Sequence, residues 1–597
     1  MAIQSTAPDS GIKSSSTTNI HAIEQEQEQA RDSNYAPRDL KNDEESLPDP
    51  NAQPGVQTIE AITVSWTTKA LVFAYIMIWL TYFVEGMVMG TTSALTPYVT
   101  SAFALHSLTP TVGILSSVIG GVTNLTIAKI LDVFGRPPGY LFCVVLATAG
   151  LIMMAACNNV EAYAAAQVFY TVGNNGILYS LTVFVADTTS LRKRGLMQAI
   201  VSSPNLITCW LAGPISSGFL KRNNGAGWRW AFGMFTIMVP AITTPLFALL
   251  VKNYWKAKKL GLVPKDESGR TVFQSFVYYC RQFDAIGLLL LSAGVALFLL
   301  PFNLYTLQAR GWNSPLVISM LVVGIVLIIS FVIWERFFAP ITFIPYNLLL
   351  DRTVLGACIL SAVLFVSYWC WASYFSSFLQ VVNGLSVEDA SYVVQTYTVC
   401  GVITSIAVGA VIHRTGRFKY ICLILGIPLN ILGLGLMIYF REPRGTNVGY
   451  IVMCQIFISV ASGAIIICDE IAILAAAASH QHVAVCLAVL GMFGNVGGAI
   501  GLTVASAIWQ DVFPNRLMRY LPAEDLPNLL YIYGDLTTQL SYPVGTPTRK
   551  AIQHAYGDAQ MMMLATGTAV WVLGLGAVLM WRNINVIGIK QSKGHVW

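Results

Sequence analysis

The chain has 597 residues, of which 55% are hydrophobic and 11% charged, and its mean hydropathy is +0.62. Soluble globular proteins carry about a quarter charged residues, so this composition excludes that class and indicates a polytopic membrane protein. The net charge of +5 is small, and we expect no nucleic-acid partner. All eleven cysteines lie in or at the ends of apolar runs, which argues against a disulfide framework or a cysteine-rich metal site.

Residues 1–65 are polar, rich in Ser, Gln, Asp and Glu, and show no apolar periodicity. We predict a disordered, acidic cytoplasmic tail there. The tail lacks the short apolar core of a cleavable signal peptide, so the first long apolar run is expected to act as its own insertion signal.

From Lys69 onward, fourteen apolar runs are long enough to cross the roughly 30 Å hydrocarbon layer as helices. The predicted spans are 70–93, 109–131, 138–157, 163–187, 196–220, 230–252, 284–305, 315–335, 353–380, 390–412, 418–440, 449–476, 483–508 and 561–582. Lys and Arg fall mostly on the loops that share a side with the N-terminus. By the positive-inside rule, both termini are predicted to be cytoplasmic.

A short polar turn follows the second span and recurs in the second half of the chain. Asp132, Gly135 and Arg136 suit a tight turn at a membrane surface, where the carboxylate faces a helix N-terminus and the guanidinium meets headgroups. Gly416 and Arg417 repeat this pattern 281 residues later. We interpret the five residues as a pair of gating turns.

The same offset joins other landmarks, because Gly213 falls on Gly494 and Asp187 falls within one residue of Asp469. Agreement at one spacing predicts a duplicated membrane domain, as in transporters whose halves rock about a central site. Pairing spans one to six with nine to fourteen leaves two inserted helices, a 6+2+6 arrangement. The predicted parts are an N-terminal bundle, a linker with the inserted pair, a C-terminal bundle and a cytoplasmic tail, over residues 66–252, 253–352, 353–582 and 583–597.

One extracellular loop, 509–560, is far longer than the other connections. Loops of this length are usually functional or disordered, and the spacing of Pro, Gly and Tyr favours an ordered lid over the outer mouth. Tyr531, Tyr533 and Tyr542 suit an amphipathic ligand. The alternative is a lid that only packs against the bundle.

Acidic residues are the main charged candidates inside the predicted helices, and an intramembrane acid is a functional candidate by default. Glu85 lies near the centre of the first span and is our first candidate for proton coupling. Its alternative is a structural hydrogen bond to a neighbouring helix. Asp187, Asp469 and Glu470 lie toward inner helix ends and are secondary candidates, since such acids often pair with nearby Arg residues or cap a helix.

These motifs resemble the major facilitator superfamily over essentially all of residues 66–590. Thr81-Tyr-Phe-Val-Glu85-Gly86, Ala555-Tyr-Gly-Asp558-Ala-Gln560, fourteen spans and the Tyr-rich loop resemble the fungal siderophore-iron transporters, above all the filamentous-fungal branch. The resemblance implies an all-α major facilitator fold and proton-coupled import of intact ferric hydroxamate siderophores. Two departures stand out. His413 replaces the first turn's Asp, and the Gly213-Pro214 element is only part of the pattern of drug exporters.

A ferric siderophore is bulky and carries little net charge, so its carrier needs aromatic surface and amide hydrogen bonds. In the ninth span, Tyr368, Trp371 and Phe375 share one helical face. Further candidates from other helices are Tyr82, Asn174, Asn175, Gln395 and Tyr397. The alternative is that such aromatic stripes pack against neighbouring helices or sit in the interfacial belt.

Nothing in the sequence resembles an enzyme, and no phosphate-binding loop or metal box is present. We expect no cofactor, and the expected partners are a ferric siderophore, protons and the lipid bilayer, around a functional monomer. The first hypothesis is a plasma-membrane importer, with an endosomal or vesicular membrane as the alternative location. A proton-antiport exporter of drugs or fungal toxins and a non-transporting sensor are the competing functions.

Overall fold

The computed structural model describes residues 67–102, 109–189, 191–221, 227–259, 272–305, 308, 310–339, 349–441, 448–476 and 480–587. Every regular element in these ranges is helical. The predicted tail over 1–65 and residues 588–597 of the C-terminal tail lie outside the described residues, as do residues 260–271 of the linker.

Among the described residues, the chain begins with nine helices of more than ten residues. They are α1 (Thr68–Ala102), α2 (Thr109–Phe134), α3 (Arg136–Ala156), α4 (Val160–Thr188), α5 (Leu191–Val201), α6 (Asn205–Leu220), α7 (Trp228–Lys259), α8 (Val272–Gln282) and α9 (Ala285–Leu299). The short α10 (Pro301–Leu304) and then α11 (Pro315–Ile333) follow, and α11 continues as a π-helical turn over Trp334–Phe338.

The second part repeats the long helices. They are α12 (Arg352–Ala372), α13 (Phe375–Val382), α14 (Val387–Thr415), α15 (Lys419–Ile421), α16 (Ile427–Phe440), α17 (Val448–Ala476), α18 (His480–Tyr520), α19 (Leu529–Gly534), α20 (Leu536–Ser541), α21 (Pro547–Ala569) and α22 (Trp571–Met580). A π-helical turn, Cys422–Gly426, joins α15 to α16.

Local sequence explains several helix ends. The side chain of Asn159 accepts a hydrogen bond from the backbone N–H of Ala162 at 2.7 Å and so caps α4. Pro137 lies in the first turn of α3, where its missing N–H costs nothing. At a helix C-terminus, Gly416 ends α14 with a φ of 69°, a conformation that favours glycine.

The two halves share one pattern of neighbouring helices. In the first half α1 packs against α6 and α7, and α4 packs against both α2 and α3. In the second half α12 packs against α18 and α21, and α17 packs against both α14 and α16. The corresponding helices therefore have corresponding neighbours, which makes the two bundles pseudo-symmetric.

Twelve helices among the described residues are long and apolar enough to cross a membrane. Two further segments are compatible with the predicted fourteen: the shorter apolar α9, and the α5–α6 pair, which is interrupted at Ser202–Pro204. On α11, most side chains lie on the surface of the bundle, Val322, Val326 and Ile329 among them. An apolar surface of this extent faces lipid, so the protein is a multi-pass membrane protein.

The predicted outer loop differs from the structure at both of its ends. α18 continues to Tyr520 and α21 already begins at Pro547, so only 521–546 connects them. This connection, which we name the outer segment, itself contains α19 and α20. We call the face that carries it the outer face, following the orientation predicted from the Lys and Arg positions.

The second half contains a break in a membrane helix, between α12 and α13. Side chains of α21 bind backbone carbonyls on both sides of it: Gln560 Nε2 donates to Trp371 O just before the break at 3.0 Å, and Gln553 Nε2 donates to Val382 O at the far end of α13 at 3.1 Å. These contacts satisfy acceptors that would otherwise stay unpaired away from water. The break is therefore held by α21 rather than by local sequence.

Candidate functional site

Glu85 lies in the middle of α1 and is only 3% exposed. Neither of its carboxylate oxygens has a hydrogen-bond partner among the described residues. Its neighbour Gly86 lies against α6 just after the break, since a Cβ at Gly86 would be 2.4 Å from Asn205 Oδ1. The structural alternative for Glu85, a hydrogen bond to a neighbouring helix, is thus not formed in this conformation.

Two tyrosines interact electrostatically with Glu85: Tyr140 on α3 and Tyr170 on α4. The Tyr170 hydroxyl is buried and has no hydrogen-bond partner in the described part of the chain. Buried polar groups without partners are costly to keep inside a membrane bundle. A carboxyl group in such surroundings can bind a proton, which keeps Glu85 the first candidate for proton exchange in the first bundle.

Tyr82 lies one turn before Glu85 and belongs to a separate polar network. Gln198 Nε2 on α5 donates to the Tyr82 hydroxyl at 3.3 Å and to Thr182 Oγ1 on α4 at 3.1 Å. The Tyr82 side chain also interacts electrostatically with Glu470 on α17. The network therefore connects the helix that carries Glu85 to the acid of the second bundle.

A small cavity lies between the two halves at the level of this network. It is lined by α4, α5, α17 and α18, through Thr182, Ala186, Arg194, Gly195, Gln198, Glu470, Ile471, Leu474 and Leu487. Arg194 is buried and donates to Ala186 O at 2.9 Å. The cavity thus holds one acid from the second half and one cation from the first.

Asp469 points away from that cavity, into the second bundle. It is buried, and its Oδ1 has no hydrogen-bond partner among the residues described. Its electrostatic neighbours include the thiols of Cys358 and Cys468. The two adjacent acids predicted together, Asp469 and Glu470, therefore occupy different environments.

Asp187 forms a buried ion pair with Arg136, whose Nη2 lies 3.5 Å from Asp187 Oδ2. The pair ties the end of α4 to the first gating turn, where Gly135 has a φ of 86°. The structure thus joins two predicted residues that had been assigned separate roles. The side chain of the remaining residue of this turn, Asp132, is outside the part of the structure that is described.

The second gating turn is built differently. Gly416 O accepts a hydrogen bond from the backbone N–H of Val586 at 3.0 Å, and a Cβ at Gly416 would be 2.1 Å from Asn585 Oδ1. The Arg417 side chain is exposed. This turn holds the segment after α22, whereas the first turn holds an ion pair.

The predicted aromatic group divides into two. Trp371 and Phe375 are at most 2% exposed and pack edge-to-face at 5.2 Å, so they belong to the core of the second bundle. Tyr368 on α12 and Tyr397 on α14 are partly buried, with ring centroids 4.7 Å apart. The tyrosine pair is therefore the part of the group that is not fully buried in the core of the second bundle.

The predicted amide contacts lie where the halves meet. Asn175 Nδ2 on α4 donates to Asn495 Oδ1 on α18 at 3.4 Å. Asn174 Oδ1, on the same helix, is buried without a hydrogen-bond partner among the residues described. Gln395 on α14 faces Gly90 of α1, because a Cβ at Gly90 would be 3.1 Å from Gln395 Nε2.

The outer segment is docked on both halves. The backbone N–H of Leu536 donates to Ser101 Oγ on α1 at 3.5 Å, and the Tyr556 hydroxyl on α21 donates to Gln539 Oε1 at 2.7 Å. Asp535 caps α20 by accepting hydrogen bonds from the backbone N–H groups of Thr537 and Thr538, each at 3.0 Å.

The three predicted loop tyrosines differ in exposure. Tyr531 is 75% exposed, Tyr542 is half-buried, and Tyr533 packs near Phe513 with ring centroids 6.2 Å apart. Only Tyr531 therefore presents most of its ring to the outside.

The sequence from residue 78 to 379 matches the profile of the Major Facilitator Superfamily. The chain belongs to the major facilitator superfamily. It is 53% identical over 567 residues to "MFS siderochrome iron transporter 1" of Ajellomyces capsulatus, covering 95% of this chain and 96% of that protein. It is 44% identical to "Siderophore iron transporter mirB" of Emericella nidulans, covering 93% and 91% of the two chains. This major facilitator protein therefore belongs with transporters and is not an enzyme.

A solved structure supports the fold alone. A bacterial homologue of the human lysosomal transporter Spinster, in an inward-facing and unoccupied conformation, superposes with a TM-score of 0.53 at 11% identity. The match covers 86% of this chain and 98% of that structure.

Sequence reasoning missed the partners of this transporter's polar groups. Arg194 and Asn495 were not singled out as site residues, although one lines the inter-half cavity and the other bonds across the interface. Neither lies in a pattern that marks a site. A usable signal for Asn495 was its position as a polar residue inside a glycine-rich stretch of an apolar helix.

Proposed function

We propose that this protein transports iron as siderophore complexes, and that it imports intact ferric hydroxamate siderophores together with protons by alternating access. The proposal rests on sequence identity: over almost its whole length, the chain is 53% and 44% identical to two fungal proteins named as siderochrome or siderophore iron transporters. Transport of siderophore iron by a major facilitator protein follows from it. The proton, the direction and the substrate class are the further parts of the proposal.

The proton step rests on Glu85. A carboxyl group that is buried, unpartnered and next to the break between α5 and α6 gains a partner only when the halves move or water enters. Protonation in one conformation and release in the other then couples the proton to the conformational change. The network of Tyr82, Gln198 and Thr182 leads from α1 toward Glu470 and is the proposed exit.

The substrate is proposed to bind between the halves. Tyr368 and Tyr397 offer aromatic surface, while Asn174, Asn175 and Gln395 offer amide groups. The two asparagines lie on α4 of the first bundle, whereas the two tyrosines and the glutamine lie on α12 and α14 of the second bundle. A ligand that touches all three helices is released when the bundles rotate relative to each other.

The exporter alternative receives no support from the relatives, which are named as iron transporters. Its basis in the sequence was the partial Gly-Pro element in α6 together with the resemblance to a superfamily that includes exporters. We also propose the plasma membrane as the location, cytoplasmic termini and a functional monomer.

The test is uptake of radiolabelled iron, offered as several ferric siderophores, into yeast that lacks its own siderophore carriers and expresses this chain. We expect accumulation that depends on the chelate and is abolished by a protonophore. No accumulation despite confirmed surface expression would refute import, and resistance to drugs and toxins would then test the exporter. Accumulation that a protonophore leaves unchanged would refute only the proton coupling.

A further inference from the structure

Three asparagines meet at the point where the two halves touch: Asn124 on α2, Asn175 on α4 and Asn495 on α18. We call them the asparagine cluster. Asn175 Nδ2 donates to Asn495 Oδ1 at 3.4 Å, and Asn495 Nδ2 donates to Gly491 O at 2.8 Å. The first of these bonds joins the N-terminal half to the C-terminal half.

Asn124 adds an amide that the protein itself does not use fully. It is 5% exposed, and its Oδ1 has no hydrogen-bond partner among the described residues. The amide faces α18, since a Cβ at Gly491 would lie 3.0 Å from Asn124 Nδ2. A buried, unpaired amide oxygen costs about 1–3 kcal/mol, so its retention at this interface requires an explanation.

The helices around the cluster carry no charge over their central stretches. Residues 112–128 of α2, 162–186 of α4 and 485–510 of α18 contain no Asp, Glu, Lys, Arg or His. Amides without charged neighbours recognise a ligand by neutral hydrogen bonds, and they leave a charged group of the ligand without a counter-ion. The cluster thus suits an uncharged ligand.

The close approach of α2 and α18 shows that the cluster must open to bind anything large. A Cβ at Gly121 would be 2.5 Å from Asn495 Cβ, so no group fits between the helices at that point. When the halves separate, the bond between Asn175 and Asn495 breaks, so Asn175 Nδ2 loses its acceptor and Asn495 Oδ1 loses its donor. A ligand that hydrogen-bonds to them replaces the lost bond.

We propose that the asparagine cluster determines specificity by exchanging its inter-half hydrogen bond for hydrogen bonds to an uncharged, oxygen-rich ligand. In the proposed function, on which this inference rests, that ligand is a neutral ferric trihydroxamate with its ring of hydroxamate and amide oxygens. A ferric hydroxamate that carries a pendant ammonium group is disfavoured because the cluster offers it no carboxylate.

The test replaces an amide by a carboxylate of the same shape. In yeast without its own siderophore carriers, Asn495→Asp is expected to shift the ratio of kcat/KM for an ammonium-bearing over a neutral ferric trihydroxamate about tenfold toward the former. Asn175→Asp, in the other half, is expected to shift it in the same direction. The matched control is Asn515→Asp, which puts the same charge at the exposed end of the same helix about 30 Å away, and it should leave the ratio within twofold.

A second measurement remains decisive if the Asp variants fail to reach the membrane. Asn124→Leu replaces the unpaired amide by an apolar side chain with the same branching and the same number of heavy atoms, and the lost cost of burying that amide should offset the added volume, so the purified variant should melt no lower than the wild type. We expect its KM for the neutral chelate to rise about tenfold with kcat kept within threefold. A role in packing alone predicts an unchanged KM.

The outcomes separate the inference from the function. A wild-type chain that accumulates no ferric hydroxamate refutes both. A wild-type chain that accumulates it, with an unchanged ratio in both surface-expressed Asp variants, refutes the asparagine cluster only. An unchanged KM in Asn124→Leu refutes the part assigned to Asn124.

Discussion

Replacing Glu85 by Gln tests the proton step most directly. Gln keeps the shape of the side chain and removes the only carboxyl group of α1. Because neither carboxylate oxygen has a partner among the residues described, the substitution breaks no observed hydrogen bond. We expect the free energy of unfolding to change by less than about 1 kcal/mol, in contrast to the 3–5 kcal/mol that breaking a buried ion pair costs.

The effect on transport is expected to be large. If one proton enters with each substrate, every unit of pH difference across the membrane drives about tenfold accumulation, which corresponds to 1.36 kcal/mol. The Glu85→Gln variant should lose this dependence, so its internal-to-external ratio should stay near one from an external pH of 5 to 7.5. Exchange of labelled for unlabelled substrate should persist, because exchange needs no net release of a proton.

The assay is uptake and exchange in vesicles of set internal and external pH, with surface levels measured in parallel. Glu161→Gln is the matched control, since Glu161 is an exposed acid in the first turn of α4. A Glu85→Gln variant that still accumulates substrate tenfold per pH unit would refute the coupling role. Loss of exchange together with uptake would assign Glu85 to substrate binding or folding instead.

Three further predictions concern the neighbouring features. Asp187→Asn removes the carboxylate that lies 3.5 Å from the buried Arg136 guanidinium, so thermal melting in detergent should show a loss of up to about 3–5 kcal/mol, partly restored when Arg136→Gln is added. Tyr531→Ala should raise the apparent KM for the substrate at an unchanged surface level, because the Tyr531 ring is exposed. Tyr533→Ala should lower the surface level, because the Tyr533 ring packs near Phe513. Equal losses of uptake and surface level in both variants would assign the outer segment to folding. Burial alone raises the pKa of Asp535, but the hydrogen bonds to its carboxylate outweigh burial and hold that pKa below its usual range. The stabilisation by this cap is therefore present above about pH 4 and is lost only below it. Asp535→Ala should therefore weaken the docking of α20 by about 1 kcal/mol equally at pH 5 and pH 7, measured by protease cleavage of the outer segment.

The sequence predicted the membrane helices because a run of about twenty apolar residues has few other stable states in lipid. It did not predict the interruption at Ser202–Pro204, which lies inside the predicted span 196–220, although Ser202, Ser203 and Pro204 form a local helix breaker. The break at Ser373 and Tyr374 has no Pro or Gly to announce it. That break depends on hydrogen bonds from α21, which lies nearly 200 residues later in the chain.

Candidate residues were found more reliably than their partners. Glu85 stands out as a lone acid in an apolar run, which needs no knowledge of the fold. The pairing of Arg136 with Asp187 depends on two helices meeting, so sequence distance did not indicate it. The nearby Arg194 also interacts electrostatically with Asp187, as expected for an acid close to Arg residues at a helix end.

The contacts between the halves indicate how a small free-energy change can shift this transporter between its two open conformations. On the outer face, the Tyr98 hydroxyl donates to Gln380 Oε1 at 2.6 Å, and Leu536 of the outer segment bonds to Ser101. Opening that face breaks these two hydrogen bonds, each worth about 0.5–1.5 kcal/mol net. At the opposite end Gly195 packs against Ile471, beside a cavity that Arg194 and Glu470 also line. A proton that moves down one unit of pH supplies about 1.36 kcal/mol, as much as one of these hydrogen bonds contributes, so one proton or one bound ligand can shift the balance between the two faces.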